Sequence, residues 1–386
     1  MDYGAGKPVD KRVLKAMNPY FLEDYGNASS GHSYGNAAKE ALTSSREKVA
    51  QLIGAEKAQE IIFTSGGTES NNLAIKGAAF RNKSKGNHII TTAIEHMSVI
   101  NICKYLQKQG FEVTFVPVDD KGIVDLEKLE AAITDQTIIM SVMYANGEIG
   151  SIQPIKQIGN LAKEKNIIFH VDAVAAAGQI PINVVEENIN LLTLSSNDLY
   201  GPKGVGALYI KKGTRIVPID QGGGQENGLR SGTENVSGIV GMAKAAELAQ
   251  AEMETESKRL IALRDKLIDG VLDEIPYSFL NGHRTERLPN NANLRFSYIE
   301  GESLILSLDM YGIQASSGSA CSSKTLEPSH VLRAIGLSHE LAHGSLAFTL
   351  GKQNKQEGMD YVLEVIPDVV KRLRALSPLT PKEILR

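Results

Sequence analysis

Small polar residues surround Cys321 in SSGSACSS at 316–323. That composition predicts a mobile, solvent-facing loop, where a thiol suits a nucleophile or a metal ligand; an incidental surface cysteine is the plain alternative. A second polar cluster lies in LLTLSSNDLYGPKGVGALYI at 191–210, where two apolar runs flank a glycine-rich turn. Ser195, Asn197 and Asp198 arrive where the first run must end, and ligands of α/β sheets sit beyond the carboxyl ends of strands. The turn is therefore read as a phosphate or cofactor cradle, against the alternative of a solvated loop. In SGGTES at 65–70, Gly66 and Gly67 allow close backbone approach, and Thr68 can cap a helix whose free N–H groups face an anion. His96 falls just past a strand end, positioned to stack on a planar ligand or simply to cap the next helix. Asp172 closes the apolar run 167–171, and a carboxylate there is costly unless it meets a cation. Eight histidines and two cysteines show no zinc-ligand spacing, so an organic cation such as a protonated pyridine nitrogen suits Asp172 better than a metal. A second glycine-dense loop, GGGQENGLRSGTENV at 222–236, carries Arg230 and Thr233.

The elements that must position these groups follow from periodicity. Strands are expected near 60–64, 88–92, 113–116, 137–143, 167–171, 191–194 and 205–210, alternating with helical patterns at 39–53, 71–80, 98–109, 126–133 and 154–165, as in a wound, mostly parallel sheet. Cys103 shares helical spacing with Val99, Ile102 and Leu106 and reads as core. A long, charged, amphipathic stretch from Ala245 to Leu272 marks the passage to a smaller α+β unit, with strands near 277–280 and 293–297 and helices near 301–310 and 357–375. The division expected is residues 1–15 as an N-terminal segment packing on the small domain, 16–245 as the large cofactor-binding domain and 246–386 as the small domain with the Cys321 loop. The 386 residues exceed one ordinary core. A net charge of -4 with scattered lysines and arginines argues against nucleic acid, and no apolar run is long enough to span a membrane. The absence of a signal-peptide pattern at the amino terminus and the low cysteine count predict a cytoplasmic, reducing location.

Taken in order, YGNASSGH at 25–32, FTSGGTESNNLAIKG at 63–77, EH at 95–96, HVDAV at 170–174, YGPKGVGALY at 200–209, RSGT at 230–233 and SSGSACSS at 316–323 resemble the cysteine desulfurases of the NifS and IscS type. These are pyridoxal-phosphate enzymes of fold type I in the class-V aminotransferase family, and the likeness covers essentially the whole chain. It implies a large domain built on a mostly parallel seven-stranded sheet and a small α+β domain. It also implies that Gly67, Thr68 and Ser195 meet the cofactor phosphate, that His96 stacks on the pyridine ring and that Asp172 pairs with the ring nitrogen. Asn146 would serve the phenolic edge, Asn197 stands at the position of a histidine in the phosphate and proton-handling group, and Thr233 would reach a neighbour's phosphate across a homodimer. Cys321 would attack the substrate sulfur of L-cysteine and carry it as a persulfide to an IscU-like iron-sulfur scaffold protein.

The same resemblance exposes departures. The family pattern Ser-x-His-Lys reads Ser195-Ser196-Asn197-Asp198, so the Schiff-base lysine is replaced by a carboxylate that can move protons but cannot form an imine. Lys203, in the GPKG turn, is a poor substitute. Ala175 replaces a glutamine, Gly147 an asparagine, Asn227 an arginine, and Ala347 the arginine that clamps the substrate carboxylate. Two readings follow. One is a desulfurase supplying sulfur for iron-sulfur assembly, with weak or lost activity and pyridoxal phosphate held non-covalently or in its amine form. The other is a non-catalytic assembly partner that uses Cys321 as a sulfur carrier or as a ligand of a transient [2Fe-2S] cluster shared with the scaffold. A selenocysteine lyase is a further enzyme reading.

Overall fold

The computed structural model describes residues 1–317 and 328–383. Cys321 and the middle of its loop lie outside the described residues.

Seven strands form the principal sheet: β1 (Ile61–Thr64), β2 (His88–Thr92), β3 (Glu112–Val116), β4 (Thr137–Ser141), β5 (Ile168–Asp172), β6 (Leu191–Ser195) and β7 (Gly206–Ile210). Their order is β1-β7-β6-β5-β4-β2-β3. β7 runs antiparallel to both neighbours, and the remaining pairs are parallel. Strands buried on both faces are mainly apolar or hydroxyl-bearing, and β1, β2 and β4 are buried along their whole length; the imidazole of His88 in β2 is paired with the Thr137 and Thr114 hydroxyls. Alternation then sorts the side chains. Ile89, Ile139, Leu191 and Leu208 face the helix Gly67–Asn82, which contributes Leu73, Ala74, Ile75, Ala78 and Ala79 to that layer. Ile90, Met140, Leu192, Leu194 and Ala207 face the opposite core. The small residues of the Gly67–Asn82 helix let it lie close to the strands, which places its amino terminus beside the ends of β5 and β6. Cys103 is fully buried in the first of these layers, and burial pushes its thiol up to about 12.

A second core surrounds a three-stranded antiparallel sheet of β8 (Ser278–Leu280), β9 (Asn291–Phe296) and β10 (Ser345–Thr349), in the order β10-β9-β8. The helix Val236–Glu274 serves both cores. Ile239, Met242 and Ala246 pack in the principal core, whereas Leu260, Leu263, Leu267 and Val271 pack in the second. At about 1.5 Å per residue its 39 residues reach nearly 60 Å, so the stretch near Ala245 lies inside one continuous element. No helix among the described residues is long and apolar enough to cross a membrane.

Two local expectations change. The helix expected from Asn71 starts at Gly67, with Gly66 as its N-cap, so Thr68 lies within the first turn rather than capping it. The 345–349 stretch, in which only Ala347 drew notice in the sequence, is a fully buried strand paired with β9.

Candidate active site

Loops at the carboxyl ends of β2, β4, β5 and β6 converge with β10 and the amino-terminal residues on one cleft of about 290 Å³. His96, Asn146, Gly147, Ala175, Asp198 and Ala347 all line it. Asp172 stands next to this wall, 6% exposed, at the last position of β5.

Asp172 and His96 are joined by a hydrogen-bonded chain. Asn71 Nδ2 donates to Asp172 Oδ2 at 2.7 Å and lies 2.9 Å from Ser98 Oγ, which is 2.8 Å from His96 Nδ1. The Val174 amide donates to Asp172 Oδ1 at 3.1 Å. Both partners of the carboxylate are thus neutral donors, and among the described residues no lysine or arginine pairs with it. A buried carboxylate whose only partners are neutral donors is complemented best by a cation, and a protonated ring nitrogen has that charge. Among the described residues no cluster of histidine, cysteine and carboxylate side chains could hold a metal ion. Asn71 and Ser98 drew no notice in the sequence. Asn71 lies in the SGGTESNN motif, but nothing local reveals that its amide reaches a carboxylate 101 residues away.

The start of the helix that follows β1 lies outside the lining of the cleft. Gly66 adopts φ 150°, a conformation that side-chain-bearing residues rarely take, and no side chain caps the helix that follows. The first-turn N–H groups of a 16-residue helix are left to a ligand there. A Cβ on Gly67 would stand 2.9 Å from Val174 Cγ2 and 3.9 Å from Ser195 Cβ, so glycine keeps this corner open and Ser195 flanks it. Thr68 is exposed in the first turn. Arg230 Nε donates to Glu69 Oε1 at 3.0 Å, and the Ser65 amide to Glu69 Oε2 at 2.7 Å, tying the RSGT loop to this helix. Thr233 is exposed on that loop. The loop is anchored in turn by Glu226, whose carboxylate pairs with the Arg46 guanidinium and accepts from the Phe63 amide at 2.8 Å. Glu226 and Asn227 both have positive φ, 46° and 58°, and Asn227 is exposed.

After β6 the chain makes a single 3₁₀ turn, Asn197–Leu199, and Tyr200 closes it in the left-handed region at φ 63°. Burial pushes the Asp198 carboxyl above the usual carboxylate range, and the nearby Lys7 ammonium opposes that shift. No local sequence signal marks Lys7. Its Nζ donates to the Asp198 main-chain oxygen at 2.6 Å, and it lines the cleft. Ser196 Oγ and Asn197 Oδ1 are buried without a hydrogen-bond partner among the described residues. Such groups are costly unless a bound ligand or water satisfies them.

Of the positions at which the resemblance leads us to expect departures from the family pattern, Gly147, Ala175, Asp198 and Ala347 line the cleft, whereas Asn197 and the exposed Asn227 do not. A Cβ on Gly147 would meet Ala175 Cβ at 3.5 Å, so two small residues face each other across one edge of the cleft. Asn146 is committed to the backbone: Nδ2 donates to Ile94 O at 2.9 Å, and Oδ1 accepts from the Glu148 and Ile149 amides, each at 2.9 Å. Ala347 lies on β10 with its main chain bonded to Ser316. Glu95, Glu148 and His330 complete the wall. Burial raises both glutamates to about 8; Glu95 accepts from Thr92 Oγ1 and the Met143 amide, and Glu148 accepts from Ser329 Oγ at 2.8 Å.

Comparison with known proteins shows the family to which the chain belongs. The family model of the class-V aminotransferases matches residues 1–362. The chain is 58% identical over 378 residues to cysteine desulfurase IscS 1 of Archaeoglobus fulgidus, covering 98% of each chain. It is 56% identical to cysteine desulfurase IscS of Methanosarcina thermophila, over 99% of this chain and 94% of the relative. A solved NifS-like protein superposes with a TM-score of 0.90 at 39% identity, over 96% of this chain and 99% of that one. With the seven-stranded sheet, the ordered motifs and the cleft in agreement, the chain belongs to the cysteine desulfurases of the IscS and NifS type, within the class-V aminotransferase family.

Proposed function

We propose that this protein works in iron-sulfur cluster assembly as a cysteine desulfurase-family homodimer that binds pyridoxal phosphate with no bond to residue 198. Its own desulfurase activity is weak, and it delivers sulfur through Cys321 to an IscU-like scaffold. The observation that carries the reading is the joint state of the cleft: the Asp172–Asn71–Ser98–His96 chain is in place, while residue 198 is a carboxylate.

The side chains fit the cofactor at both ends. Asp172 would hold the ring nitrogen, His96 the ring face, and Gly67, Thr68 and Ser195 the phosphate, with Thr233 serving a neighbouring subunit's phosphate. Pyridoxal phosphate, when bound, would supply an electron sink for the substrate's α-carbon. The protein's part is positioning and proton traffic. Asn71 and Ser98 fix the relative orientation of Asp172 and His96, and Asp198, with its raised proton affinity, can hold a proton at its carboxyl oxygen. The paired truncations at Gly147 and Ala175 thin the hydrogen bonds along one edge. Loss of the arginine at 347 removes a charge-assisted contact of about 1.5–3 kcal/mol, or about tenfold to a hundredfold in substrate affinity.

The same losses favour the second reading, an assembly component in which Cys321 carries sulfur or ligates a transient [2Fe-2S] cluster with its partner; a thiolate suits iron. Cluster spectra of the complex with an IscU-type scaffold, with and without Cys321→Ser, test the partnership. Altered ligation or lost cluster transfer in the variant is expected, and unchanged spectra and transfer would remove Cys321 from the role.

A further inference from the structure

The amino-terminal residues cross the cleft as a strap fixed at both ends. At one end the Thr349 amide donates to Met1 O at 2.9 Å, the Tyr3 amide to Thr349 O at 3.1 Å and the Gly4 amide to Thr349 Oγ1 at 2.6 Å. At the other, the Asp10 amide donates to Tyr200 O at 3.0 Å. Between these anchors Lys7 is only 7% exposed, and its Nζ points to the 198 turn, 2.6 Å from Asp198 O and 5.2 Å from the centre of the Tyr200 ring. It is the only lysine among the described residues that line the cleft.

A surface lysine could tie a strap down with its aliphatic stem and keep its charge in water. Lys7 instead buries the amine itself, at the one residue where the family's own amine is missing. We propose that Lys7 supplies that amine: its Nζ attacks the aldehyde carbon of pyridoxal phosphate held in the cleft. A C=N bond forms, and the carbonyl oxygen leaves with two protons as one water, without oxidation or reduction. The inference rests on the cofactor reading above and revises a cofactor held only by non-covalent contacts. Burial favours it chemically. Desolvation lowers the Lys7 pKa below the ordinary lysine range, with the Asp198 charge opposing and Lys352 assisting, so more of the amine is in its nucleophilic neutral form. The amine would then come from the strap rather than from the turn after β6.

The test uses the full-length protein loaded with pyridoxal phosphate. After gel filtration, retained cofactor is quantified, the sample is reduced with borohydride, and the pyridoxyl group is located by peptide mass spectrometry. The label is expected on Lys7. Lys7→Arg, which keeps a cation beside Asp198, should retain cofactor and lose the fixed label. Retained cofactor without a label, or with the label on another lysine such as Lys203, overturns the role of Lys7 and leaves the cofactor reading standing. Failure to retain any cofactor overturns both.

Discussion

Asn71 shares one amide nitrogen between Ser98 and Asp172, and this single group aligns the two side chains that would hold opposite aspects of a pyridine ring. Replacing it strands a buried carboxylate oxygen, at a cost of about 1–3 kcal/mol. Asn71→Ala is therefore expected to lower pyridoxal-phosphate affinity about tenfold or more, measured by equilibrium dialysis, with the fold retained; unchanged affinity would make the chain of hydrogen bonds incidental. At this scale much was legible. Asp172 and Ser195 close β5 and β6, and Asp198 follows in the turn after β6, so the ends of apolar runs mark all three. Lys7, Asn71 and Ser98 were not legible, because each reaches its partner through the tertiary fold. Lys7 sits 191 residues from the turn it meets, and no local periodicity or spacing encodes that approach.

At the scale of elements, the glycine-dense loop 222–236 is held less by its glycines than by Glu226. That carboxylate is buried, pairs with Arg46 and accepts the Phe63 amide of β1. Breaking a buried pair by removing one partner costs about 3–5 kcal/mol. Glu226→Ala should show that loss in a denaturant titration and should also weaken cofactor retention, because the loop carries Arg230 and its bond to the phosphate-end helix. A variant as stable as the parent would contradict this anchoring role. The sequence predicts most elements here because parallel strands buried on both faces are continuous apolar runs. It misses β10, whose SLAFT sequence joins small and polar residues and is stabilised by pairing with β9 and with Ser316. It also places the start of the Gly67–Asn82 helix too late, since a glycine N-cap gives none of the side-chain signals that mark a helix start.

Across the whole molecule, one helix joins two cores, and the cleft lies where β10 and the strap of one region meet the strand ends of the other. Packing this cleft buries two carboxyl groups, Glu95 and Glu148, each raised from 4.5 to about 8. Their folded-state pKa values exceed the unfolded ones, so the stability they contribute is full below pH 4.5 and is lost as pH rises toward 8. The melting temperature should fall over that window, and Glu148→Gln, which preserves an acceptor for Ser329, should flatten part of the decline; an identical profile would place the proton elsewhere. The central claim is that a cofactor cradle persists around depleted desulfuration chemistry. Alanine released from L-cysteine per bound pyridoxal phosphate tests it most directly, comparing the parent with the double variant Asp198→Lys, Ala347→Arg. The account predicts slow release by the cofactor-loaded parent and a large gain in the double variant. Sustained turnover by the parent at the rate of the double variant would contradict it.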